Sequence, residues 1–390
     1  MGMMIKHRVG IIGSGFIGKG LVKALNLFDD MDVVKVMTRT QLGERSDFPY
    51  PHLLTNSIED CIEHSDVIVE CTGDVLFGTE MIAKVMDAGI PVVTMNTELQ
   101  VTTGSYFAGK GFITEAEGDQ PGCIAALREN VLQMGFEPLV YGNIKGFLNP
   151  TPSFEDMLYW SKRNKISLEM VTSFTDGTKV EFEQTLIANA FQSKLLPSGI
   201  TGIISEDLRD GANALAIEAE RLGSPISDYV LSSKAPAGVF ITAKHLDTAG
   251  QRDALHYMKL GEGPYYTLIM PFHLCHLEVM KTIRRVVEKK EILLNNTCTP
   301  SYSMGAVVKK RIAAGTTIKR GIGSFEVRGR ALRIEDMPNH IPIGLLEQAT
   351  IIKPMEEGEF LTFADVDIPD SLAYRAWMKT REQSLIPHGL

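Results

Sequence analysis

Between Arg8 and Gly20 the chain reads RVGIIGSGFIGKG. Residues 9–12 are a short apolar run of strand type. Gly13, Gly15 and Gly18 follow in G-x-G-x-x-G spacing, and residues 16–26 then put Ile17, Leu21, Val22 and Leu25 on one helical face. A strand, a glycine turn and a helix in that order mark a dinucleotide-binding βα unit, whereas the spacing alone would be a weak signal. Gly13 permits the tight turn, Gly15 lets the backbone approach a pyrophosphate, and Gly18 lets helix and strand close on each other. Ser14, Phe16 and Ile17 complete the turn and join the glycines as candidate cofactor contacts. The free N–H groups of the helix start would face the phosphates.

The chain keeps the same rhythm to about residue 150. Strands are expected at residues 32–37, weakly at 53–54, and at 66–70, 91–95 and 138–141, with one helix opening over residues 57–60 and others at 79–88 and 124–134. The helix from residue 57 opens on Ser57, a good N-cap. Ligands of such folds sit at the carboxyl ends of parallel strands. That places Thr38 and Arg39 after the second strand, Cys71, Thr72 and Gly73 after the 66–70 strand, and Asn96 and Glu98 after the 91–95 strand. An NAD site wants a carboxylate at the end of the second strand to meet the ribose hydroxyls. Arg39 stands there instead and could pair with a 2′-phosphate, which favours NADP(H) over NAD(H). Residues 114–122 read as a polar turn with Asp119 and Gln120 exposed. Residues 142–146, Gly-Asn-Ile-Lys-Gly, read as a loop whose glycines let Lys145 meet a ligand.

From about residue 150 the composition shifts to an α+β pattern. The expected helices are 154–164, 181–190, 205–222 and 277–287, and the expected strands are 239–242 and 265–271. Asp176-Gly177 is expected to turn the chain and to leave Lys179 either at a cleft or on a solvated hairpin. At a cleft, a lysine can protonate or polarise a carbonyl. Lys145 is a second cation of this kind. Glu98, Asp176, Glu181 and Glu183 would suit Mg²⁺ or Mn²⁺ if they converge, because hard cations take oxygen ligands. Spacing does not decide that, and a metal stays open. His273 in PFHLCHLE is a candidate for hydrogen bonding to substrate; its three-residue gap to His276 is not a zinc-helix pattern. Short strands with glycine turns from residue 305 suggest a small β-barrel, with a closing helix over 371–385.

Composition narrows the function. The 390 residues are 44% hydrophobic and 22% charged, with a net charge of −9, as in soluble globular proteins of two or three domains. The negative balance argues against nucleic acid or an anionic membrane as partner. No apolar run reaches the ~20 residues of a membrane span, and no signal peptide is expected, because the start leads directly into a strand. The five cysteines have no C-x-x-C spacing, as expected of reduced thiols in a cytoplasmic protein.

Taken together, GIIGSGFIGKG, VVTMNTE, GDQPG, TSFTDGTK with EFEQTLIANA, PFHLCHLE and the tail PIGLLEQA…EGEFLTFADVDIPDSLAYR resemble the homoserine-dehydrogenase-like oxidoreductases with a C-terminal SAF domain, and their deoxyxylulose-phosphate-reductoisomerase-like branch. The resemblance implies a Rossmann domain over residues 1–150, an α+β catalytic domain over 151–304 and a small SAF-like β domain with a tail over 305–390. It implies NADP(H)-dependent reduction, with or without skeletal rearrangement, of a small phosphorylated sugar or related carbonyl compound. It places the site between the first two domains, with Lys179, Lys145, Asp176, Glu98 and His273 as its reactive residues. A homoserine-dehydrogenase-type reaction without rearrangement is the second expectation, and a nucleotide-sensing scaffold with a sugar- or partner-binding β domain the third. A homo-oligomer is expected from the habit of such enzymes.

Overall fold

The computed structural model describes residues 6–197 and 199–386. Their contacts gather into two compact units. One takes in the described residues up to Gly122, then Leu274–Thr299 and Asp370–Gln383. The other takes in Cys123–His273, Pro300–Pro369 and the described residues from Ser384.

The first unit is α/β. Its strands β1 (His7–Ile12), β2 (Met31–Met37), β3 (Leu54–Thr55), β4 (Val67–Glu70), β5 (Val92–Thr94) and β6 (Ile113–Glu115) form one sheet in the order 3-2-1-4-5-6. Every pairing is parallel. This is the doubly wound order whose ligand crevice opens where the strand order reverses, between β1 and β4. Helices α1 (Phe16–Leu25), α2 (Ile58–His64) and α3 (Val75–Asp87) cross between strands, and short helices α4 (Thr97–Leu99) and α5 (Ser105–Ala108) follow β5. Val9 and Ile11 of β1 pack in one apolar cluster with α1, while Ile12 packs with α2 and α3 in another. A parallel strand covered on both faces needs such continuous apolar runs.

Local structure departs from expectation at three points in this unit. The segment expected as a polar turn begins with β6, a three-residue strand of Ile, Thr and Glu too short and too polar to show periodicity. Asp119 and Gln120 are buried rather than exposed. Helix α3 starts at Val75, four residues before the expected start, because the Asp74 side chain caps it by accepting from the Phe77 N–H at 3.0 Å.

The chain continues through α6 (Gln120–Gln133) into β7 (Phe136–Lys145), α7 (Phe154–Asn164), α8 (Leu168–Thr175), α9 (Thr178–Phe191), β8 (Ile203–Ile204), α10 (Leu208–Leu222), β9 (Ile226–Leu231), β10 (Gly238–His245), α11 (Thr248–Tyr257) and β11 (Tyr266–Met270). These strands form a mixed sheet in the order β11-β10-β7-β9-β8. The expected loop at residues 142–146 is instead the end of β7. Gly142 is a packing glycine, since a Cβ there would lie 2.1 Å from the Phe240 ring. The Asp176-Gly177 turn joins two helices rather than two strands, with Gly177 left-handed at φ 88°.

After α12 (Val279–Arg284) in the first unit, the chain adds β12 (Tyr302–Val308), β13 (Thr317–Arg320), β14 (Val327–Arg333), β15 (Glu347–Ile351) and β16 (Val366–Asp367) to the second. It closes with α13 (Leu372–Ser384). The five strands make an antiparallel β12-β14 ladder and an antiparallel β13-β15-β16 sheet. Residues 360–362, one of the short strands expected beyond residue 305, supply single bridges only. Among the described residues no helix is long and apolar enough to cross a membrane.

Candidate active site

The three glycines of the opening turn serve different needs. Gly13 has φ 119°, and a Cβ there would sit 2.8 Å from the Cys71 carbonyl oxygen. Gly18 carries α1 so close to the turn that a Cβ would lie 2.0 Å from the Gly13 carbonyl oxygen. Those two are demanded by the fold. Gly15 is not. Its φ of −76° suits any residue, and a Cβ there would meet nothing within 4 Å. A bare backbone beside open space, at a helix start with no side-chain cap, fits a pyrophosphate approaching the N–H groups. Around it, Ser14 Oγ donates to Thr38 Oγ1 at 2.8 Å and Arg45 donates to the Ser14 carbonyl at 2.5 Å. Phe16 is 60% exposed and meets the His276 ring edge-on at 5.9 Å.

Arg39, at the end of β2, lies over the Phe77 ring at 4.4 Å and donates to Asp74 at 2.9 Å. At the ends of β4 and β5, Glu70 is fully buried. It accepts from the Thr72 N–H at 2.8 Å, from the Thr72 and Thr94 hydroxyls at 2.5 and 2.6 Å, and from Asn96 at 3.4 Å. Burial pushes its carboxyl above the usual range. Thr72 and Asn96 therefore fix the two strand-end loops through Glu70, a residue that no motif singles out. Cys71 is a free thiol whose pKa burial also raises. Glu98 is half-buried in the first turn of α4.

In the second unit, α9 is buried along nearly its whole length although half its residues are polar. One face carries Lys179 and, a turn later, Glu183. Glu183 accepts from Lys145 at 2.9 Å and from Asn143 at 2.6 Å, both on β7. The structure thus brings Lys145 to the face that carries Lys179. The other face lies along the open edge of β14. Thr178 Oγ1 accepts from the Gly329 N–H at 2.9 Å and Glu181 from the Ala331 N–H at 2.8 Å, so helix side chains occupy the hydrogen-bonding positions of a missing strand. Asp176, at the C-cap of α8, accepts from the Thr178 N–H at 2.9 Å and pairs with Lys309 at 2.6 Å. Lys309 also donates to the Ser324 carbonyl at 2.6 Å.

Asp176, Glu181 and Glu183 do not converge. Each faces a different cation, and Glu98 belongs to the other unit. Among the described residues no group of three or more His, Cys, Asp or Glu side chains is placed to hold a metal. His273 is half-buried, with Nδ1 hydrogen-bonded to no described residue. His276 packs where a Cβ on Gly20 would stand, and burial lowers its pKa.

Glu181 lies 3.2 Å from Arg330 Nε, close enough for charge attraction but too poorly aligned for a hydrogen bond. Burial dominates and lifts the Glu181 carboxyl to about 7. Asp228 is lifted to about 6, also by burial. A carboxyl whose folded pKa is raised stabilises the protein at pH values below its unfolded pKa and loses that contribution as pH rises through the folded one. The Glu181→Gln variant keeps the neutral shape, so the stability of the parent relative to it is expected to fall by on the order of 3 kcal/mol between pH 5 and pH 8. Urea melts of both proteins across that range read this directly; parallel curves would refute the assignment.

Residues 13–107 match the NAD-binding domain of homoserine dehydrogenase. Residues 118–279 match the catalytic domain of the DRL oxidoreductases. The protein is an NAD(P)-dependent oxidoreductase. The match at residues 13–107 begins on Gly13, and the match at 118–279 contains Lys145, Asp176, Lys179 and His273. No curated protein matches in sequence. Among solved structures, a homoserine dehydrogenase from Thiobacillus denitrificans is 18% identical, with 80% of this chain and 83% of that one covered and a TM-score of 0.45. A UDP-N-acetylglucosamine 3-dehydrogenase from Acidithiobacillus ferrooxidans is 10% identical, with 75% and 93% covered and a TM-score of 0.41. Likenesses this loose say nothing of the oxidoreductase's own substrate.

Lys309, Arg328, Arg330, Asn143 and Asp228 escaped the sequence reading. The alternation in VRGRALR over β14, with a basic residue at every other position before Ala331, was the available signal for the two arginines. Lys309 had none, because a lysine after a strand is ordinarily solvated.

Proposed function

We propose that this oxidoreductase reduces a small carbonyl compound, of the phosphorylated-sugar class, with NADPH. Bound NADPH supplies the hydride. Gly15 and the uncapped start of α1 would hold the pyrophosphate, and Arg39, which lies over Phe77 and pairs with Asp74, would supply the charge for a 2′-phosphate. Lys179 gives its proton to the carbonyl oxygen as negative charge develops there. Lys145, held by Glu183, sits on the same face and keeps a second cation beside that oxygen, where a preorganised charge lowers the barrier most. The observation that carries the reading is the Lys145–Glu183 contact, which joins two separately suspected residues to one helix face.

A homoserine-dehydrogenase-type reduction without rearrangement is the second reading, favoured by the match at residues 13–107. Following NADPH oxidation with ketose phosphates and with aspartate semialdehyde, with and without Mg²⁺, separates the two. Turnover of ketose phosphates alone supports the first, turnover of the semialdehyde alone supports the second, and neither substrate being turned over refutes both.

A further inference from the structure

We propose that Arg328 and Arg330 form a receptor for an oxyanion, a phosphate ester or a carboxylate. It goes beyond the reading above, since Glu181, which faces the pair, lies on the opposite face of α9 from Lys179. Burial along β14 alternates from Val327 to Ala331, so the two arginines stand side by side on the less buried face of the strand, with Gly329 turned inward between them. Gly329 is what lets α9 come close, because a Cβ there would meet the Thr178 methyl at 3.0 Å.

The neighbouring acids have closer partners. Asp176 pairs with Lys309, Glu181 with Arg330, and Asp228 accepts from the N–H groups of Gly202 and Tyr229 at 2.9 and 2.8 Å. Arg328 is half-buried, and its side chain makes no hydrogen bond or ion pair to a described residue. Burial and the adjacent Arg330 charge act against its own charge more strongly than the nearby Glu181, Asp176 and Tyr229 support it. A half-buried arginine pressed against a second one, with a fork of five N–H donors to satisfy, is stable when an oxyanion bridges the two. The site has a wall on one side: Gly199 lies near Arg330, its absent Cβ position 3.6 Å from Nη2, and the Tyr229 ring packs on Gly202. Arg330 remains 31% exposed, so an anion has a path in.

The test uses the full-length protein saturated with NADPH, which fills the pyrophosphate site of the first unit. Sulfate, inorganic phosphate and acetate are titrated by calorimetry against chloride at constant ionic strength. An oxyanion is expected to bind, and Arg328→Met to weaken it by about ten- to hundred-fold, in keeping with a lost charge-assisted hydrogen bond. Arg328→Lys should recover only part. Arg221→Met, which removes an arginine whose side chain is 76% exposed on α10, should leave affinity unchanged. Sulfate and phosphate binding without acetate identifies a tetrahedral group; acetate binding as well identifies a carboxylate receptor. No binding beyond chloride, or equal losses in Arg328→Met and Arg221→Met, overturns the proposal. Failure of NADPH to bind at the outset would instead overturn the cofactor reading.

Discussion

Replacing Lys179 with Met is expected to lower turnover by about 10²- to 10⁴-fold, the usual contribution of a positioned proton donor. NADPH affinity and the unfolding midpoint should barely change. The side chain is half-buried at the second position of α9, and Met keeps most of its apolar stem while favouring helix as lysine does. The next turn holds Glu183 with Lys145 and Asn143, and that arrangement stays intact in the variant. A loss confined to kcat therefore reports the proton rather than the scaffold. Steady-state rates and thermal melts on the same preparation check it. Turnover within a few-fold of the parent would remove Lys179 from the mechanism.

The largest loss of stability is expected from Lys309→Met. Lys309 and Asp176 are both buried, at 4% and 0% side-chain exposure. Removing the cation leaves a carboxylate without its ion-pair partner in a place where burial already acts against its ionised form. Breaking a buried pair on one side costs about 3–5 kcal/mol. The double variant Asp176→Asn with Lys309→Met removes both charges and should regain much of it, because the penalty lies in the orphaned charge rather than in a lost attraction. The amide can still accept from the Thr178 N–H. Chemical denaturation of the two single variants and the double one measures the coupling. A cost below about 1 kcal/mol for Lys309→Met would show that the pair is not buried as described.

The first unit was largely legible in the sequence because its signals are local. A strand, a turn of three glycines and an amphipathic helix lie within about twenty residues, and the parallel strands after them are short continuous apolar runs. The elements missed there were short or capped by chemistry outside the apolar pattern, as in β6 and the Asp74 start of α3. The second unit hid more. Lys179 and Lys145 were visible as residue types, but the contact that relates them passes through Glu183, 38 residues after Lys145. Asp176 looked like a turn residue, and its partner Lys309 lies 133 residues away. Buried ion pairs of such separation leave no periodicity, and α9 confounds the usual rule by burying Glu181, Glu183 and Gln184 on a helix that reads as half-solvated.

Everything proposed for the second unit presupposes that the opening turn binds the nucleotide, and Gly15 offers the cleanest way to ask. The most direct measurement is a fluorescence titration of NADPH into the parent protein and into Gly15→Val. A Cβ at Gly15 would meet nothing within 4 Å and its φ of −76° is open to other residues. The variant should therefore fold, with its stability lowered by no more than the cost of a poorer helix N-cap, ~1 kcal/mol. The expected result is saturable binding by the parent and a loss of at least a hundred-fold in the variant, with the side chain standing where the pyrophosphate must approach. Equal affinity in the two proteins, or no NADPH binding by the parent, would contradict the account.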